Sequence, residues 1–375
     1  MPLPQKFIDK INGLLHHQDI SFAIQGTELA ETLCYQESDL IHFVEEIGNC
    51  ELSSRISMEE LKWVYRNHPR KSRYFLALWT FWFLIGLGSS KVRSLKRLRI
   101  QDVHLPRIPK NINLLKNLHR LMLVQNGIEE LPPTITNLTQ LTELELSENK
   151  LTVLPEDIGH LQSLQELNLQ QNRLTTLPNS LGKLSHLRNL RLNGNQLEYL
   201  PSTVSHLQNL QGIFLRHNPL RAVPDDIGSI SSLQYMDLTH TQILNLPESI
   251  GELKGLERLT LNNTPLTCLP ESLGNVSTLQ VLELNYCNLT CLPESIGALT
   301  QLNCLLLADN PIQHLPENLG QLTKLRTLNL QGTAMTTLPA WLFSLPSLNN
   351  IYLPSISPEE LQRFQSIQSK CIIQR

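Results

Sequence analysis

Leucine recurs with a fixed 23-residue period through the last three quarters of the chain. Inside each period, apolar residues at positions four and six flank one polar or variable residue, as Leu167 and Leu169 flank Asn168. Successive side chains of a strand point to opposite faces, so this alternation predicts one short strand per unit with its leucines turned inward. The first leucines of the twelve units are Leu95, Leu118, Leu141, Leu164, Leu187, Leu210, Leu233, Leu256, Leu279, Leu302, Leu325 and Leu348.

Position nine is Asn in six of the twelve units, and its side-chain amide is suited to bond the backbone of the turn after the strand. Burying such backbone groups without a partner would cost about 1 to 3 kcal/mol each. The asparagines of this series are Asn126, Asn149, Asn172, Asn195, Asn218 and Asn310. The series is interrupted by Thr241, Thr264 and Cys287, and again by Thr333. We therefore expect a looser or locally different turn in units seven to nine.

A Leu-Pro step follows the turn in most units, as at Leu246 and Pro247. Proline fixes φ and keeps the preceding residue out of the helical region, so the extended stretch should end there. Strands about 4.8 Å apart on one side and bulkier return segments on the other make the stack curve, which gives twelve strands a concave face roughly 55 Å long. The predicted fold class is α/β: a solenoid of about twelve repeats with a parallel sheet on its concave face.

Glycine at position nineteen recurs with the repeat, and the chain contains neither GxxxxGK nor GxGxxG. These glycines therefore indicate repeat structure and not a phosphate-binding loop.

The consensus LxxLxLxxNxLxxLPxxIGxLxx, seen from Leu164 to Leu184, resembles the 23-residue leucine-rich repeat. Residues 95–357 are similar to repeats of the plant intracellular Ras-group type, of Scribble-like scaffolds and of bacterial effectors, including those of Legionella and Leptospira. The resemblance implies a non-enzymatic module that binds a protein or peptide on the concave face without a cofactor. It also raises the hypothesis of a bacterial effector that acts in a host cell.

Residues 1–94 lack the 23-residue period and carry helical spacing instead, with Leu29, Leu33 and Leu40 on one stripe. This pattern predicts a small N-terminal α-helical domain that caps the array. Residues 74–88 carry no charge, include several aromatic side chains and are flanked by basic residues. They are expected to cover the first repeat, and the alternative is contact with an anionic membrane surface.

Two further resemblances concern the ends of the chain. Residues 1–25 resemble the opening of an F-box through Leu3, Pro4, Phe7, Ile11, Leu14, Asp19 and Ile20, which would imply a ubiquitin-ligase substrate receptor. Residues 358–375 are predicted to form a C-terminal helix and tail, with the helix from Pro358 to Gln368 closing the array through Leu361 and Phe364. The acidic and apolar residues of the same segment, Glu359, Glu360, Ile372 and Ile373, also resemble translocation signals of the Legionella type.

Composition and short motifs narrow the possible functions and the possible cellular location of the protein. The formal net charge of −3 gives no strong electrostatic attraction to nucleic acid. Seven cysteines without a disulfide spacing, and a first segment without a secretion signal, favour a reducing, cytoplasmic location. Neither HExxH, GxSxG nor a kinase-like motif occurs, and Cys268 and Cys291 lack a CxxC partner, so we expect no enzyme, no metal and no cofactor.

The candidate binding surface consists of the outward positions three, five, seven and eight of each unit. Exposed aromatic and Arg side chains, the residue types enriched at interface hot spots, cluster in units five to eight. The candidate partner-binding residues are Arg191, Phe214, Arg216, His217, Tyr235, Asp237, His240 and Arg258.

Overall fold

The computed structural model describes residues 95–367, apart from 103, 104, 106 and 109, and residues 372–374. The chain divides into two compact units, Met1–Leu141 and Thr142–Arg375. In the first unit, strand β1 (Arg97–Arg99) pairs with β2 (Arg120–Met122) in parallel, and 3₁₀ helices span Lys110–Leu114 and Pro133–Asn137. The expectations for residues 1–94, which are the helical cap, the membrane-contacting segment and the F-box-like opening, lie outside the described residues.

The second unit contains one short strand per repeat and one strand more. Each strand pairs in parallel with the next, and residues 23 positions apart are register partners from β3 to β12. The predicted parallel solenoid is therefore confirmed. The strands are β3 (Glu143–Glu145), β4 (Glu166–Asn168), β5 (Asn189–Arg191), β6 (Gly212–Phe214), β7 (Tyr235–Asp237), β8 (Arg258–Thr260), β9 (Val281–Glu283), β10 (Cys304–Leu306), β11 (Thr327–Asn329), β12 (Asn350–Tyr352) and β13 (Ile372–Gln374).

The return segments of the second unit are short 3₁₀ helices. The proline of the Leu-Pro step precedes most of them with an extended backbone, as at Pro247 with φ −71° and ψ 154°. The helix starts at the next residue, so this step ends the extended stretch as predicted. The helices are Ile158–His160, Asn179–Lys183, Ser202–His206, Ile227–Ser229, Glu248–Glu252, Glu271–Asn275, Glu294–Ala298, Glu317–Gln321 and Ala340–Ser344.

The core of the second unit lies between the strands and the 3₁₀ helices. The middle residue of every strand from β3 to β12 is buried, as the alternating pattern predicts. Helix α1 (Pro358–Ile367) confirms the predicted C-terminal helix, because its Phe364 is completely buried while Leu361 is half-buried. After it, β13 pairs with β12 through Asn350↔Ile372, a strand that the sequence pattern does not indicate.

Position-nine asparagines connect neighbouring repeats through their amides. The Asn195 Nδ2 donates to the carbonyls of Leu192 in its own turn and Leu169 in the preceding repeat, each at 2.9 Å. Its Oδ1 accepts the backbone N–H of Leu174 at 3.0 Å. One side chain therefore satisfies three buried backbone groups and links two repeats.

The expected local difference in the backbone of the turn in units seven to nine is wrong. Position eight takes a left-handed backbone there, with φ of 55° at His240, 58° at Asn263 and 57° at Tyr286, and the same conformation occurs at Gln171 with φ 54°. The Thr241 hydroxyl bonds the carbonyl three residues back, at 2.8 Å, as Asn195 does. The turn therefore keeps its shape when Thr replaces Asn, because the bond that closes it is retained.

Replacing Asn195 by Ala should lower the free energy of unfolding by about 2 kcal/mol, because it leaves buried backbone groups of two repeats without partners. The matched change Thr241→Ala removes a single bond within one turn and should cost about 1 kcal/mol. Urea unfolding followed by circular dichroism measures both. Equal losses would show that the bond to the preceding repeat contributes nothing.

Glycines at position nineteen allow adjacent 3₁₀ helices to pack closely. A Cβ built on Gly251 would lie 2.3 Å from the carbonyl oxygen of Ser272 in the next repeat, and one on Gly228 would lie 2.0 Å from that of Ser249. Ser205 occupies this position in unit five. There the next helix begins later, at Ile227, and the Ser205 hydroxyl donates to the Asp226 carboxylate at 2.7 Å.

In the described part of the chain, helices are too short or too polar to cross a membrane.

Candidate functional site

Register places the central candidate residues side by side. Arg191, Phe214 and Asp237 are successive partners at the ends of β5, β6 and β7. At the starts of β6, β7 and β8, Gly212 pairs with Tyr235, which in turn pairs with Arg258. We call the outward side chains of β3 to β12 the strand face, and all of these residues belong to it.

A groove with a volume of about 400 Å³ lies on the strand face between β6 and β9. Six of the eight predicted residues line it, and the other two, Arg191 and His217, contact residues that line it. We call this surface the groove. Its lining residues are Phe214, Arg216, Tyr235, Met236, Asp237, Thr239, His240, Arg258, Thr260, Asn262, Asn263, Glu283, Asn285 and Tyr286.

Phe214 lies across the position that Gly212 leaves open. A Cβ on Gly212 would lie 2.8 Å from the Phe214 ring and 2.6 Å from the Asn189 amide oxygen, so a larger residue there would displace the ring. The guanidinium of Arg191 stands over the same ring, 5.0 Å from its centroid, in a cation–π contact. Phe214 is consequently half-buried and held in place on the free protein.

Two imidazole rings stack at the edge of the groove. His217 and His240 occupy position eight of successive repeats with φ of 56° and 55°, and their ring centroids are 4.3 Å apart with planes 11° from parallel. Burial lowers the pKa of His217 below its ordinary value of 6.5, and the positive charges of His240 and Arg216 lower it further, while Asp237 acts in the opposite direction. The His217 ring is therefore held toward its uncharged form near neutral pH.

A chain of polar contacts forms the opposite side of the groove. Arg258 and Glu283 form an ion pair at 3.1 Å, and Asn262 donates to the other Glu283 oxygen at 2.9 Å. The Asn262 amide oxygen accepts the backbone N–H of Asn285, whose own amide oxygen accepts the N–H of Ala308 at 2.9 Å. These bonds cross three repeats and fix the side chains that face an occupant.

Sequence reasoning missed eight lining residues: Met236, Thr239, Thr260, Asn262, Asn263, Glu283, Asn285 and Tyr286. Tyr286 is 58% exposed and occupies position eight, as His217 and His240 do. Its place in the repeat was therefore a usable signal, whereas the pairing of Arg258 with Glu283 depends on side-chain reach across a strand.

The four cysteines among the described residues are unpaired in the structure. Cys268 and Cys291 are exposed, Cys287 is buried and Cys304 is half-buried. Burial raises the pKa of the Cys287 and Cys304 thiols, and the Glu283 carboxylate raises that of Cys304 further. Both thiols are therefore held protonated. Among the described residues, three metal-ligating side chains do not converge anywhere.

Comparisons with known families agree with this geometry. A family described as "Leucine-rich repeat region" matches residues 88–172, the leucine-rich repeats of "Leucine-rich repeat and WD repeat-containing protein 1" match 133–241, and "Leucine Rich Repeat" matches 278–299. A solved leucine-rich repeat protein of Leptospira interrogans is 30% identical over 77% of this chain and 92% of its own, with a TM-score of 0.52. The chain belongs to the leucine-rich repeat family.

Other solved leucine-rich repeat structures share the fold. The plant peptide hormone receptor RGFR1 in complex with RGF2 is 24% identical over 72% of this chain and 49% of the receptor chain, with a TM-score of 0.56. An octameric complex of latrophilin 3, Unc5D and the leucine-rich repeats of FLRT2 matches at 21% identity over 73% of this chain and 87% of that one, with a TM-score of 0.62. No curated protein matches this leucine-rich repeat chain in sequence.

Proposed function

We propose that this leucine-rich repeat chain is a non-enzymatic binding module that docks a protein or peptide in the groove. The observation that carries the proposal is the convergence of aromatic and Arg side chains on one face, with Phe214 clamped between Arg191 and the sheet. Residues of this kind, held in place before binding, supply most of the affinity at protein interfaces and lose little conformational entropy on association.

The aromatic residues of the groove offer apolar area beside polar groups. Tyr235 is 40% exposed and Tyr286 is 58% exposed, while Phe214 is half-buried between them and Arg191. Rigid amphipathic rings contribute contact area at low entropic cost, and the bonded Asn262 and Asn285 side chains keep the polar side of the groove in a fixed arrangement.

Relatives support the partner class. Leucine-rich repeat folds are typically non-enzymatic interaction modules, and their stacked repeats form extended binding surfaces. RGFR1 is seen with RGF2, and the FLRT2 repeats are seen in a complex with other proteins. We infer a protein or peptide partner for this chain as well, and we propose no nucleic-acid partner.

The proposal predicts that peptides selected on the immobilised chain from a random phage-displayed library bind through the groove. Phe214→Ala combined with Arg216→Ala should weaken such peptides at least about thirtyfold in fluorescence anisotropy, since truncation of hot-spot residues typically costs 2 kcal/mol or more. Thermal stability should stay nearly unchanged, because both side chains reach the surface.

A matched control uses another position-five aromatic and a neighbouring Arg outside the groove. Tyr352→Ala combined with Arg326→Ala should leave the affinity within about twofold. The proposed site is refuted when the selected peptides bind the Phe214 and Arg216 variant as tightly as the parent chain, or when the control variant loses the same affinity.

We also propose that the protein is cytoplasmic. A finer proposal is that it is a bacterial effector that acts in a host cell. The four free cysteines among the described residues support a reducing compartment, and the similarity to the Leptospira interrogans protein supports a bacterial type of repeat. The alternatives of a ubiquitin-ligase receptor and of membrane association rest on residues 1–25 and 74–88, outside the described range.

A further inference from the structure

The charges of the groove are unequally neutralised. Glu283 already accepts bonds from Arg258 and Asn262, and Asp237 accepts the backbone N–H of Thr239 at 3.0 Å. By contrast, within the described part of the chain the Arg216 guanidinium has neither a hydrogen bond nor an ion pair. Glu283 is thus engaged by two side chains and one oxygen of Asp237 by the backbone, while the cationic donor group of Arg216 is available to an occupant.

The available cation stands beside the imidazole stack. Arg216 precedes His217 in the chain, and His240 stacks on His217 from the next repeat. Arg191 of β5 lies over the Phe214 ring. An anionic group at Arg216 would therefore meet further basic groups at one end of the groove, with aromatic surface directly next to it.

We propose that the occupant of the groove is an acidic, extended peptide segment, whose carboxylate contacts Arg216 and the His217–His240 pair while a neighbouring apolar side chain packs on Phe214 and Tyr235. The inference rests on the proposed function and names the chemistry of its partner. A guanidinium suits this role because its planar array of donors matches a carboxylate with two parallel hydrogen bonds.

The imidazole pair makes binding of such a segment dependent on pH. The charged groups that act on His217 are His240 and Arg216, which disfavour its protonation, and Asp237, which favours it. A bound carboxylate adds a negative charge beside the ring, so it raises the pKa of His217 and the complex takes up a proton. Affinity for an acidic peptide therefore rises as the pH falls through the histidine range, and affinity for a basic peptide falls.

The test uses two synthetic fluorescent peptides of nine residues, one alternating Glu with Phe and the other alternating Lys with Phe. Dissociation constants of the full chain are measured by anisotropy at pH 7.5 and 5.5, where the peptide's glutamates remain ionised. The Glu peptide should bind at least about tenfold more tightly than the Lys peptide at pH 7.5, and about fivefold more tightly again at pH 5.5.

Variants separate the contributions of the two basic features. Arg216→Gln should weaken binding of the Glu peptide about tenfold at either pH. The ratio of its dissociation constant at pH 7.5 to that at pH 5.5 should stay above one. His217→Gln combined with His240→Gln should bring that ratio to about one, whereas His314→Gln, an exposed histidine outside the groove, should keep the parent ratio.

Each failure has a separate meaning. Preference for the Lys peptide, or an affinity for the Glu peptide that does not rise at pH 5.5, overturns the acidic occupant. If library peptides still require Phe214 and Arg216, the groove remains a binding site and the proposed function stands. A Glu peptide that binds the Arg216→Gln and parent chains equally also overturns the inference, because its carboxylate then lies elsewhere.

Discussion

Gly251→Ala is expected to lower the free energy of unfolding by about 4 kcal/mol, near the upper end for a single substitution. The added methyl group would lie 2.3 Å from the Ser272 carbonyl oxygen and 2.8 Å from its carbonyl carbon, so backbone must move in one of two adjacent 3₁₀ helices. Flexible side chains are unable to relieve this clash. Urea unfolding by circular dichroism gives the change.

The structure also contains a matched rescue for this change. At the equivalent position of unit five, Ser205 is accommodated because the next helix begins at Ile227, and Asp226 before it accepts the serine hydroxyl. Gly251→Ser alone should cost about as much as Gly251→Ala, and adding Ser272→Asp should recover about half of the loss by recreating that pair. If the second change gives no recovery, the pairing of these residues does not explain the exception.

The repeat architecture was predictable because one short pattern determines it many times over. Alternating leucines define a strand, the Leu-Pro step ends it, and a constant 23-residue period leaves a single register, so Arg191, Phe214 and Asp237 had to be neighbours. Strand β13 lies outside that pattern. It consists of three residues that follow α1 and pair with β12 at the edge of the sheet, and the 23-residue pattern does not extend to them.

The turn in units seven to nine shows where pattern reasoning fails. The interrupted asparagine series predicts a changed backbone, yet Thr241 and Thr264 bond the same carbonyl of their own turns, at 2.8 and 2.9 Å. A hydroxyl close to the main chain is sufficient to close a turn. What the substitution changes is the bond to the preceding repeat, which a single-unit consensus does not reveal.

The position of the groove could be predicted from the sequence, but its full set of lining residues could not. The period identified which side chains point outward, and aromatic and Arg residues marked the middle units. Side-chain pairing decided the rest: Glu283 belongs to the groove because Arg258 and Asn262 reach it across the strands. Such contacts depend on rotamers and on exposure, so the available charge of Arg216 became apparent only once the partners of its neighbours were known.

Phe364→Ala should produce the other large loss, about 3 to 5 kcal/mol of local stability at the C-terminal end of the array. The ring is completely buried, and it packs against Phe343, whose ring centroid is 5.6 Å away and which lies under the Arg363 guanidinium. Terminal elements of a repeat protein cover the apolar end of the last unit, and each unit is stabilised mainly by its neighbours.

The loss should therefore be confined to the units next to α1. Hydrogen exchange measured by mass spectrometry should show reduced protection in β11 and β12 of the Phe364→Ala chain, while β6 to β9 keep theirs and the groove keeps its peptide affinity. The control Gln365→Ala, at an exposed position of the same helix, should change stability by less than about 0.5 kcal/mol. Equal deprotection from β3 to β12 would instead mean that the second unit unfolds as one cooperative body, and that α1 stabilises the groove from a distance.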